Sequence, residues 1–330
     1  MIPNFNYIRP KTLKDTVAHL NEGQARVYAG GTDLLPCLRD RVFEAEKVVS
    51  LSGLGNLTGI KKGKAGGLRI GALTTITEIA ENNLINRDYK ALAQAASEVA
   101  SPQIRNQGTI GGNLCQKPRC WYYRGEFNCL RKGGRICYAV DGENQYHCLF
   151  GGKGCYIVHP SDTAPALSAL GAKLRISGPE GERTVPVAEF FVLPARDATR
   201  ETVLQQGEIV AEVMLPPRPA EEFYSSYRKV RTRRAWDFAL AGIALALRLS
   251  GNRITGAKVF LSGAAPIPWH SPEVEEVIRG GSLEDDTITR AAAAVVRKAS
   301  PLAKNHYKVD LFRGMLEEEL FKVKEKVLNE

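Results

Sequence analysis

The sequence predicts an α+β protein with more than one domain. Its 330 residues exceed the length that a single hydrophobic core usually serves, so two or three domains are expected. Helical patterns occur near both ends of the chain, whereas short strands broken by glycines occupy much of the middle. Apolar residues make up 44% of the chain, which is ample for the cores of a globular protein.

The first segment predicts a helix, two strands and a glycine turn. Residues 12–21 carry apolar side chains at helical spacing behind Thr12, a suitable N-cap. Residues 26–29 and 48–51 have the pattern of strands. Between them lies the turn YAGGTDLL, whose glycines are free to take positive φ and whose successive N–H groups can bind a phosphate. The turn lacks the Rossmann and Walker A spacings, so on its own a purely structural turn is the simpler interpretation.

The next segment brings a second glycine turn. Short strands begin beyond Leu57, where we expect a domain boundary, and residues 84–100 predict a helix that ends before Pro102. The turn IRNQGTIGGN follows in residues 104–113. Two such turns from different segments can hold the diphosphate of a dinucleotide without any Rossmann fingerprint.

The last part of the chain predicts β structure followed by helices. Residues 174–215 alternate as strands, and the prolines in residues 216–219 indicate a second boundary. The apolar run that follows predicts two strands joined by a hairpin, although a helix over residues 238–249 is the alternative. Residues 289–298 and 317–328 have helix-forming composition without breakers.

The charge and the N-terminal sequence limit the classes of partner. The net charge of +9 suggests a nucleic-acid partner, but the basic residues are dispersed and form no aromatic-basic patch. We therefore expect a solvated basic surface and no nucleic acid, with an acidic protein as the partner that such a charge favours. The first residues contain no apolar run of the kind found in signal peptides and membrane anchors, which predicts a cytoplasmic protein without membrane insertion.

Six of the seven cysteines lie in residues 111–162. They include no CxxC pair, so a zinc finger or ribbon is disfavoured. A disulfide framework fits their number but not a reducing compartment, and free structural thiols fit the compartment but not the clustering. An iron–sulfur cluster fits both, because it needs four thiolates on a glycine-containing loop, and nearby cations would offset its negative charge. The spacing matches neither ferredoxin pattern, and by itself it does not identify the four ligands. The cysteines are Cys115, Cys120, Cys129, Cys137, Cys148 and Cys155, and the cations are Arg119, Arg131, Lys132 and Arg135.

Several motifs, taken together and in order, resemble one family. They are FxYxRPxTLxD near the start, AGGTDLL in residues 29–35, IRNxGTIGGNLC in residues 104–115, PSDxAPAL in residues 160–167 and the pattern of residues 229–239. This set resembles the FAD-binding medium subunit of the molybdenum hydroxylases, which include xanthine dehydrogenase and carbon monoxide dehydrogenase. The cysteine-rich insertion looks like that of the 4-hydroxybenzoyl-CoA reductase β subunit and of related aldehyde oxidase flavoproteins, which carry an additional [4Fe-4S] cluster.

The resemblance implies a fold and domain limits. The fold is a vanillyl-alcohol-oxidase/PCMH-type FAD-binding domain of two α/β subdomains, followed by a C-terminal α+β domain with a three-stranded antiparallel sheet and helices. The first subdomain would cover residues 1–57 and the second residues 58–217, with the iron–sulfur insertion at about 115–156. The C-terminal domain would cover residues 218–330.

The resemblance also implies site residues. Asp162 would lie at the flavin, Val210 beside the isoalloxazine ring, and Lys229 would reach the flavin from the C-terminal domain. The simpler interpretation is that Asp33 and Asp162 cap turns and that Lys229 belongs to a solvated basic face. His147 and His159 flank the insertion, where we expect supporting or surface positions rather than iron ligation. The flavin loops would be Tyr28, Ala29, Gly30, Gly31, Thr32, Asp33 and Leu34, and Thr109, Ile110, Gly111, Gly112 and Asn113. The cluster ligands would be Cys120, Cys129, Cys137 and Cys155, which leaves Cys115 and Cys148 as packed thiols.

The implied function is electron transfer, with no catalytic residue of the chain's own. By resemblance, the partners are a large molybdopterin subunit and a small subunit with two [2Fe-2S] clusters, with ferredoxin or NAD(P) as an external partner. The cofactors are FAD and a [4Fe-4S] cluster. The alternative is a stand-alone flavin oxidase, but the sequence offers no convincing constellation of histidines and carboxylates for substrate chemistry.

Overall fold

The N-terminal part of the chain folds around a small parallel sheet. In the computed structural model, which describes residues 2–64 and 66–329, this sheet has the strand order β1-β3-β2. The predicted first helix is present, and Thr12 caps it by accepting a hydrogen bond from the Asp15 N–H. The elements are β1 (Asn6–Ile8), α1 (Leu13–Asn21), β2 (Ala25–Tyr28), α2 (Leu34–Arg39) and β3 (Lys47–Ser50).

A five-stranded antiparallel sheet forms the second part, in the order β4-β5-β8-β6-β7. The predicted helix over residues 84–100 is wrong in its continuity, because Tyr89 leaves helical geometry and its hydroxyl bonds to the Pro216 carbonyl 2.6 Å away. Two shorter helices, α4 and α5, take its place. The elements are β4 (Ile60–Lys62), β5 (Leu68–Gly71), α3 (Ile76–Glu81), α4 (Asn83–Asp88), α5 (Lys90–Ser97), α6 (Pro102–Gln107), α7 (Ile110–Cys115), α8 (Trp121–Arg124), α9 (Thr163–Ala169), β6 (Lys173–Gly178), β7 (Gly181–Pro186) and β8 (Ile209–Leu215).

The C-terminal part is an antiparallel sheet covered by helices. The predicted hairpin of residues 238–262 is confirmed, and the helical alternative is wrong. A two-residue strand, β12, extends the predicted three-stranded sheet to the order β12-β11-β10-β9. The elements are β9 (Glu222–Val230), β10 (Ala241–Ser250), β11 (Arg253–Ser262), β12 (Trp269–His270), α10 (Pro272–Ile278), α11 (Asp285–Ala294) and α12 (Tyr307–Asn329).

Strand β10 explains how the C-terminal sheet is attached to the rest of the molecule. Its apolar run is buried on both faces, which accounts for the lack of polar alternation along it. Ile243 and Leu245 point into a core shared with helices α10, α11 and α12, whereas Ala244 and Ala246 join the core of the five-stranded sheet. The C-terminal sheet therefore packs against the middle part of the chain and shares its hydrophobic core. Within the described ranges, no helix is long and apolar enough to cross a membrane.

Candidate flavin site and cysteine cavity

A cavity of about 370 Å³ lies where all three parts of the chain meet. Its size falls within the usual range of cofactor sites. Both glycine turns contribute to its wall. The turn of residues 160–163, called the SD turn below, also contributes, as do β8 and the segment that precedes β10. Of the predicted flavin residues, those on the wall are Ala29, Gly30, Gly31, Thr32, Asp33, Leu34, Thr109, Gly111, Gly112, Asn113, Asp162 and Val210.

The first turn requires glycine at two positions for different reasons. A Cβ atom on Gly30 would lie 1.9 Å from the Gln107 carbonyl oxygen, so this turn packs directly against the end of α6. Gly31 has a φ of +72°, which L-residues rarely adopt. Both glycines are free to take a positive φ, but of the two only Gly31 does so. Tyr28 stands behind the turn, where its ring would touch a Cβ on Gly31.

The second turn is fastened to the SD turn. Thr109 caps α7 by accepting a hydrogen bond from the Gly112 N–H at 3.2 Å. The Asn113 side-chain oxygen accepts hydrogen bonds from the hydroxyls of Ser161, at 2.6 Å, and Thr163, at 2.7 Å. Ile110 is fully buried in the core of the five-stranded sheet and lies off the cavity wall. Side-chain hydrogen bonds thus hold the turns of residues 109–113 and 160–163 in one arrangement.

Asp162 is the acceptor of a buried network rather than a turn cap. Its carboxylate receives hydrogen bonds from the Tyr227 hydroxyl and from Lys229 Nζ, both at 2.7 Å, and it makes no capping bond to α9. Lys229 also donates to the carbonyls of Glu98 and Asp237, and its side chain is completely buried. Lys229 therefore lies behind the cavity wall, neither on a solvated face nor on the wall itself. Tyr227 was not among the predicted site residues, although its position two residues before Lys229 puts both on one face of β9.

Asp33 connects the first turn to the cysteine-rich insertion. Its carboxylate accepts hydrogen bonds from the Lys117 N–H and from Arg124, both at 2.7 Å, and it pairs with Arg119 at 2.9 Å. It makes no side-chain capping bond to α2, so the simpler prediction of a turn cap is wrong here too. Arg124 was not among the predicted site residues, and Arg119 was predicted only as a cation that offsets the charge of a cluster.

A second, narrow cavity of about 10 Å³ lies inside the insertion. Cys120, Cys129, Cys137 and Cys155 all line it. Cys115 lies instead on the wall of the large cavity, and Cys148 is buried away from both. All seven cysteines are free thiols. Across the described ranges, no group of three or more histidines, cysteines or acidic residues is placed to hold a metal ion.

The four predicted cations differ in their distance from the cysteine cavity, and only one of them lies on its wall. Of the four predicted cations, only Arg131 lines the cavity, since Arg119 pairs with Asp33, Lys132 bonds to the Gly125 carbonyl and Arg135 is exposed. Arg131 is buried and donates to Glu201 at 2.8 and 3.0 Å.

The thiols and the histidine on this wall have pKa values that burial shifts. Burial raises the pKa of Cys120 to about 11, and it also raises the pKa of Cys155, against which the Arg131 charge acts. His147 Nε2 lies 3.3 Å from Cys120 Sγ, and burial lowers the pKa of His147 to about 4. The second flanking histidine, His159, is buried beside Phe191 and lines neither cavity.

The two cavities share a wall. Arg119 lines the large cavity and the next residue, Cys120, lines the narrow one. Consecutive Cα atoms lie about 3.8 Å apart, so a single peptide bond connects the walls. The segment before β10, with Trp236 and Phe238, closes the large cavity on another side, and Phe238 packs under the Arg119 guanidinium at 4.8 Å.

Comparison with known proteins identifies the family. Residues 3–218 match the FAD binding domain in molybdopterin dehydrogenase, and residues 225–322 match the CO dehydrogenase flavoprotein C-terminal domain. The chain is 34% identical to the aldehyde oxidoreductase FAD-binding subunit PaoB of Escherichia coli K12, over 88% of this chain and 89% of that one. It is 27% identical to the carbon monoxide dehydrogenase medium chain of Hydrogenophaga pseudoflava, over 91% and 88%. A chain of the reconstituted CO dehydrogenase from Oligotropha carboxidovorans superposes with a TM-score of 0.76 at 25% identity, covering 96% of both chains. The chain therefore belongs to the molybdenum hydroxylase family as a FAD-binding medium subunit, and so is a component of an oxidoreductase.

Proposed function

We propose that this subunit carries electrons through two cofactors, FAD in the large cavity and a [4Fe-4S] cluster bound by Cys120, Cys129, Cys137 and Cys155. The observation that carries the proposal is that these four cysteines line one cavity, which shares a wall with the flavin cavity. Bound FAD supplies two-electron exchange with a nicotinamide or quinone and one-electron exchange with iron–sulfur centres. The chain's own residues hold the two groups side by side.

The flavin contacts follow from the cavity wall. The N–H groups of the two glycine turns would bind the pyrophosphate, because such turns present several donors to one anion. Asp162 and Val210 would face the rest of the cofactor. The other three predicted residues lie behind the cavity wall and would support it. Tyr28 and Ile110 pack against the wall residues, and Lys229 holds the Asp162 carboxylate in place.

The donor set fits an iron–sulfur cluster better than a single ion. Each of the four irons of a [4Fe-4S] cluster takes one thiolate, so its ligands stand further apart than those of one metal ion. The four thiols line one cavity, as the ligands of such a cluster would. Arg131 supplies a buried positive charge on the cavity wall.

The partners follow from the family. We propose that the chain assembles with a large molybdopterin subunit, where substrate is oxidised or reduced, and with a small subunit that carries two [2Fe-2S] clusters. The additional cluster would connect FAD to an external carrier such as ferredoxin, or FAD would exchange electrons with NAD(P). This chain would then have no catalytic residue, and the substrate would be chosen by its partner. A cytoplasmic location remains a prediction.

The test compares two cysteines of the same loop in the assembled complex, purified without oxygen. Cys129→Ala removes a proposed ligand, whereas Cys148→Ala removes a buried thiol that lies off the cavity. We expect Cys129→Ala to lower the iron and acid-labile sulfide content by up to about four each per FAD, and Cys148→Ala to leave both unchanged. Equal iron in the wild type and both variants would remove Cys129 from the ligand set, and a wild-type complex with no iron beyond that of its two [2Fe-2S] clusters would refute the [4Fe-4S] cluster. Substrate turnover by the subunit without its partners would instead favour the stand-alone oxidase.

A further inference from the structure

One histidine contacts a proposed cluster ligand without being one of the ligands. His147 lines the cysteine cavity and is 5% exposed, and its Nε2 atom lies 3.3 Å from Cys120 Sγ. This distance is a hydrogen-bond distance for nitrogen and sulfur. The contact joins two residues that are 27 positions apart, so it depends on how the insertion folds back on itself.

The direction of this hydrogen bond follows from the acceptor. A thiolate can only accept, so Nε2 carries the proton in the cluster-bound protein and Nδ1 does not. Histidines beside metal sites are commonly oriented by a partner on the second ring nitrogen. In His147, however, Nδ1 is buried and has no hydrogen-bond partner among the described residues. The ring must therefore be oriented by some other contact.

The start of the C-terminal helix region provides that contact through the backbone. The His147 carbonyl accepts hydrogen bonds from Asn305 Nδ2 and from Lys308 Nζ, each at 3.1 Å. Both side chains are fully buried. Lys308 also donates to the Gly263 carbonyl at 2.7 Å, at the end of β11, and Asn305 donates to the Cys148 carbonyl at 3.1 Å. Together they fix the backbone of residues 147 and 148 against the C-terminal domain.

Lys308 also brings charge. Among the described residues, its Nζ donates hydrogen bonds to three backbone carbonyls and to no carboxylate. A buried cation without an anionic partner is costly. Its hydrogen bond to the His147 carbonyl, at 3.1 Å, places this charge beside a residue that lies on the wall of the cysteine cavity.

We propose that His147 donates an Nε2–H hydrogen bond to the Cys120 thiolate and thereby raises the reduction potential of the cluster, and that Asn305 and Lys308 are the positioning residues that aim it. The inference rests on the proposed function, since it requires the cluster. Its physical basis is that a donor on a ligand sulfur stabilises the reduced cluster, which is more negative, over the oxidised one. The C-terminal domain would in this way tune a cofactor held by the insertion.

The experiment is a redox titration of the assembled complex, followed by the EPR signal of the reduced cluster. His147→Phe keeps a planar ring but has no donor, whereas His147→Gln places an N–H at a reach similar to that of Nε2. We expect the midpoint potential of the [4Fe-4S] signal to become more negative in His147→Phe and to return towards the wild-type value in His147→Gln. The matched control is His306→Phe, which changes an exposed histidine next to Asn305. We expect this variant to keep the wild-type midpoint potential.

A second measurement covers the case in which His147→Phe fails to hold the cluster. Pulsed EPR on the reduced wild-type complex in heavy water should show that an exchangeable proton near the cluster is lost on deuteration, and this proton should be absent from Asn305→Ala. Equal potentials in wild type and His147→Phe, or the same exchangeable proton in wild type and Asn305→Ala, would overturn the inference. Lack of a [4Fe-4S] signal in the wild type would refute the proposed function instead, so the two failures are distinguishable.

Discussion

The flavin cavity and the cysteine cavity share a wall, but they are built in different ways. The flavin cavity draws on three distant parts of the chain and is shaped mainly by backbone turns, at Gly30 and Gly31 and at Gly111 and Gly112. The cysteine cavity comes from one insertion and is shaped by side chains. A cavity assembled from distant segments depends on a few buried long-range contacts, whereas a cavity within one loop depends on its ligands and on how the loop is attached.

This difference indicates where each cavity is vulnerable. In the flavin cavity, the critical contact is the buried pair of Asp162 and Lys229, which joins the SD turn to β9. In the cysteine cavity, it is the attachment of Arg131 to Glu201, which ties the loop to the segment before β8. Asp33 connects the two regions, because it lies on the wall of the flavin cavity and binds Lys117 and Arg124 of the insertion. Variants of Asp162, Glu201 and Asp33 therefore test whether each cavity depends on the contact named for it.

The largest effect is expected from Asp162→Ala. The change leaves the Lys229 charge fully buried without its carboxylate and removes the partner of the Tyr227 hydroxyl. Removing one member of a buried pair costs about 3–5 kcal/mol of unfolding free energy. We expect urea unfolding of the purified subunit to report this loss, and FAD content to fall while the iron of the proposed cluster is retained.

Two controls accompany Asp162→Ala. Asp141→Ala, at an exposed aspartate, should leave both stability and FAD content unchanged. The double variant Asp162→Leu with Lys229→Met removes both charges and should recover part of the lost stability, because neither charge is then left unpaired. A double variant as unstable as Asp162→Ala would show that the buried charge is not the cause.

A smaller effect is expected from Glu201→Gln, on the side of the cysteine cavity. Burial alone would raise the pKa of Glu201, but the charges of Lys117 and Arg131 reverse this and hold it below its ordinary value of 4.5. A lowered carboxyl pKa contributes stability that is present above the unfolded pKa and is lost as the pH falls through the folded one. We expect Glu201→Gln to lower the free energy of unfolding by about 2 kcal/mol at neutral pH, as is typical of hydrogen bonds to charged groups.

The pH dependence provides the check for Glu201. The stability difference between wild type and Glu201→Gln should begin to narrow as the pH falls below 4.5, where the unfolded chain takes up a proton, and should go on narrowing until the pH is below the lowered pKa of the folded carboxylate. Urea unfolding at neutral pH and at about pH 4 measures this difference. A gap that stays constant over this range would mean that the carboxylate charge contributes nothing at this site.

Much of the architecture follows from local patterns, and the contacts that make the site do not. The capped first helix, the two glycine turns and the hairpin of β10 and β11 are local in sequence, so composition and spacing predict them. The grouping of the four thiols came from the resemblance, since spacing left the ligand set open. The Asp162 network joins residues 65 and 67 positions apart, and Asp33 contacts residues 84 and 91 positions away. Such pairs depend on how whole sheets pack, so a local reading of either aspartate indicated only a turn cap.

The smallest of the three effects, and the one that connects the two cavities, is expected from Asp33→Asn. The amide keeps an acceptor for the Lys117 N–H but loses the charge that Arg119 and Arg124 share. The side chains of Asp33, Arg119 and Arg124 are 15–28% exposed, so solvent screens both ion pairs. The free energy of unfolding should therefore fall by only about 1 kcal/mol. FAD affinity and iron content should nevertheless fall together, because the same carboxylate holds the first glycine turn and the start of the insertion. Titration of FAD into the deflavinated complex, with iron analysis of the same preparation, measures both. Loss of FAD with full retention of iron would show that the cavities are adjacent but mechanically independent.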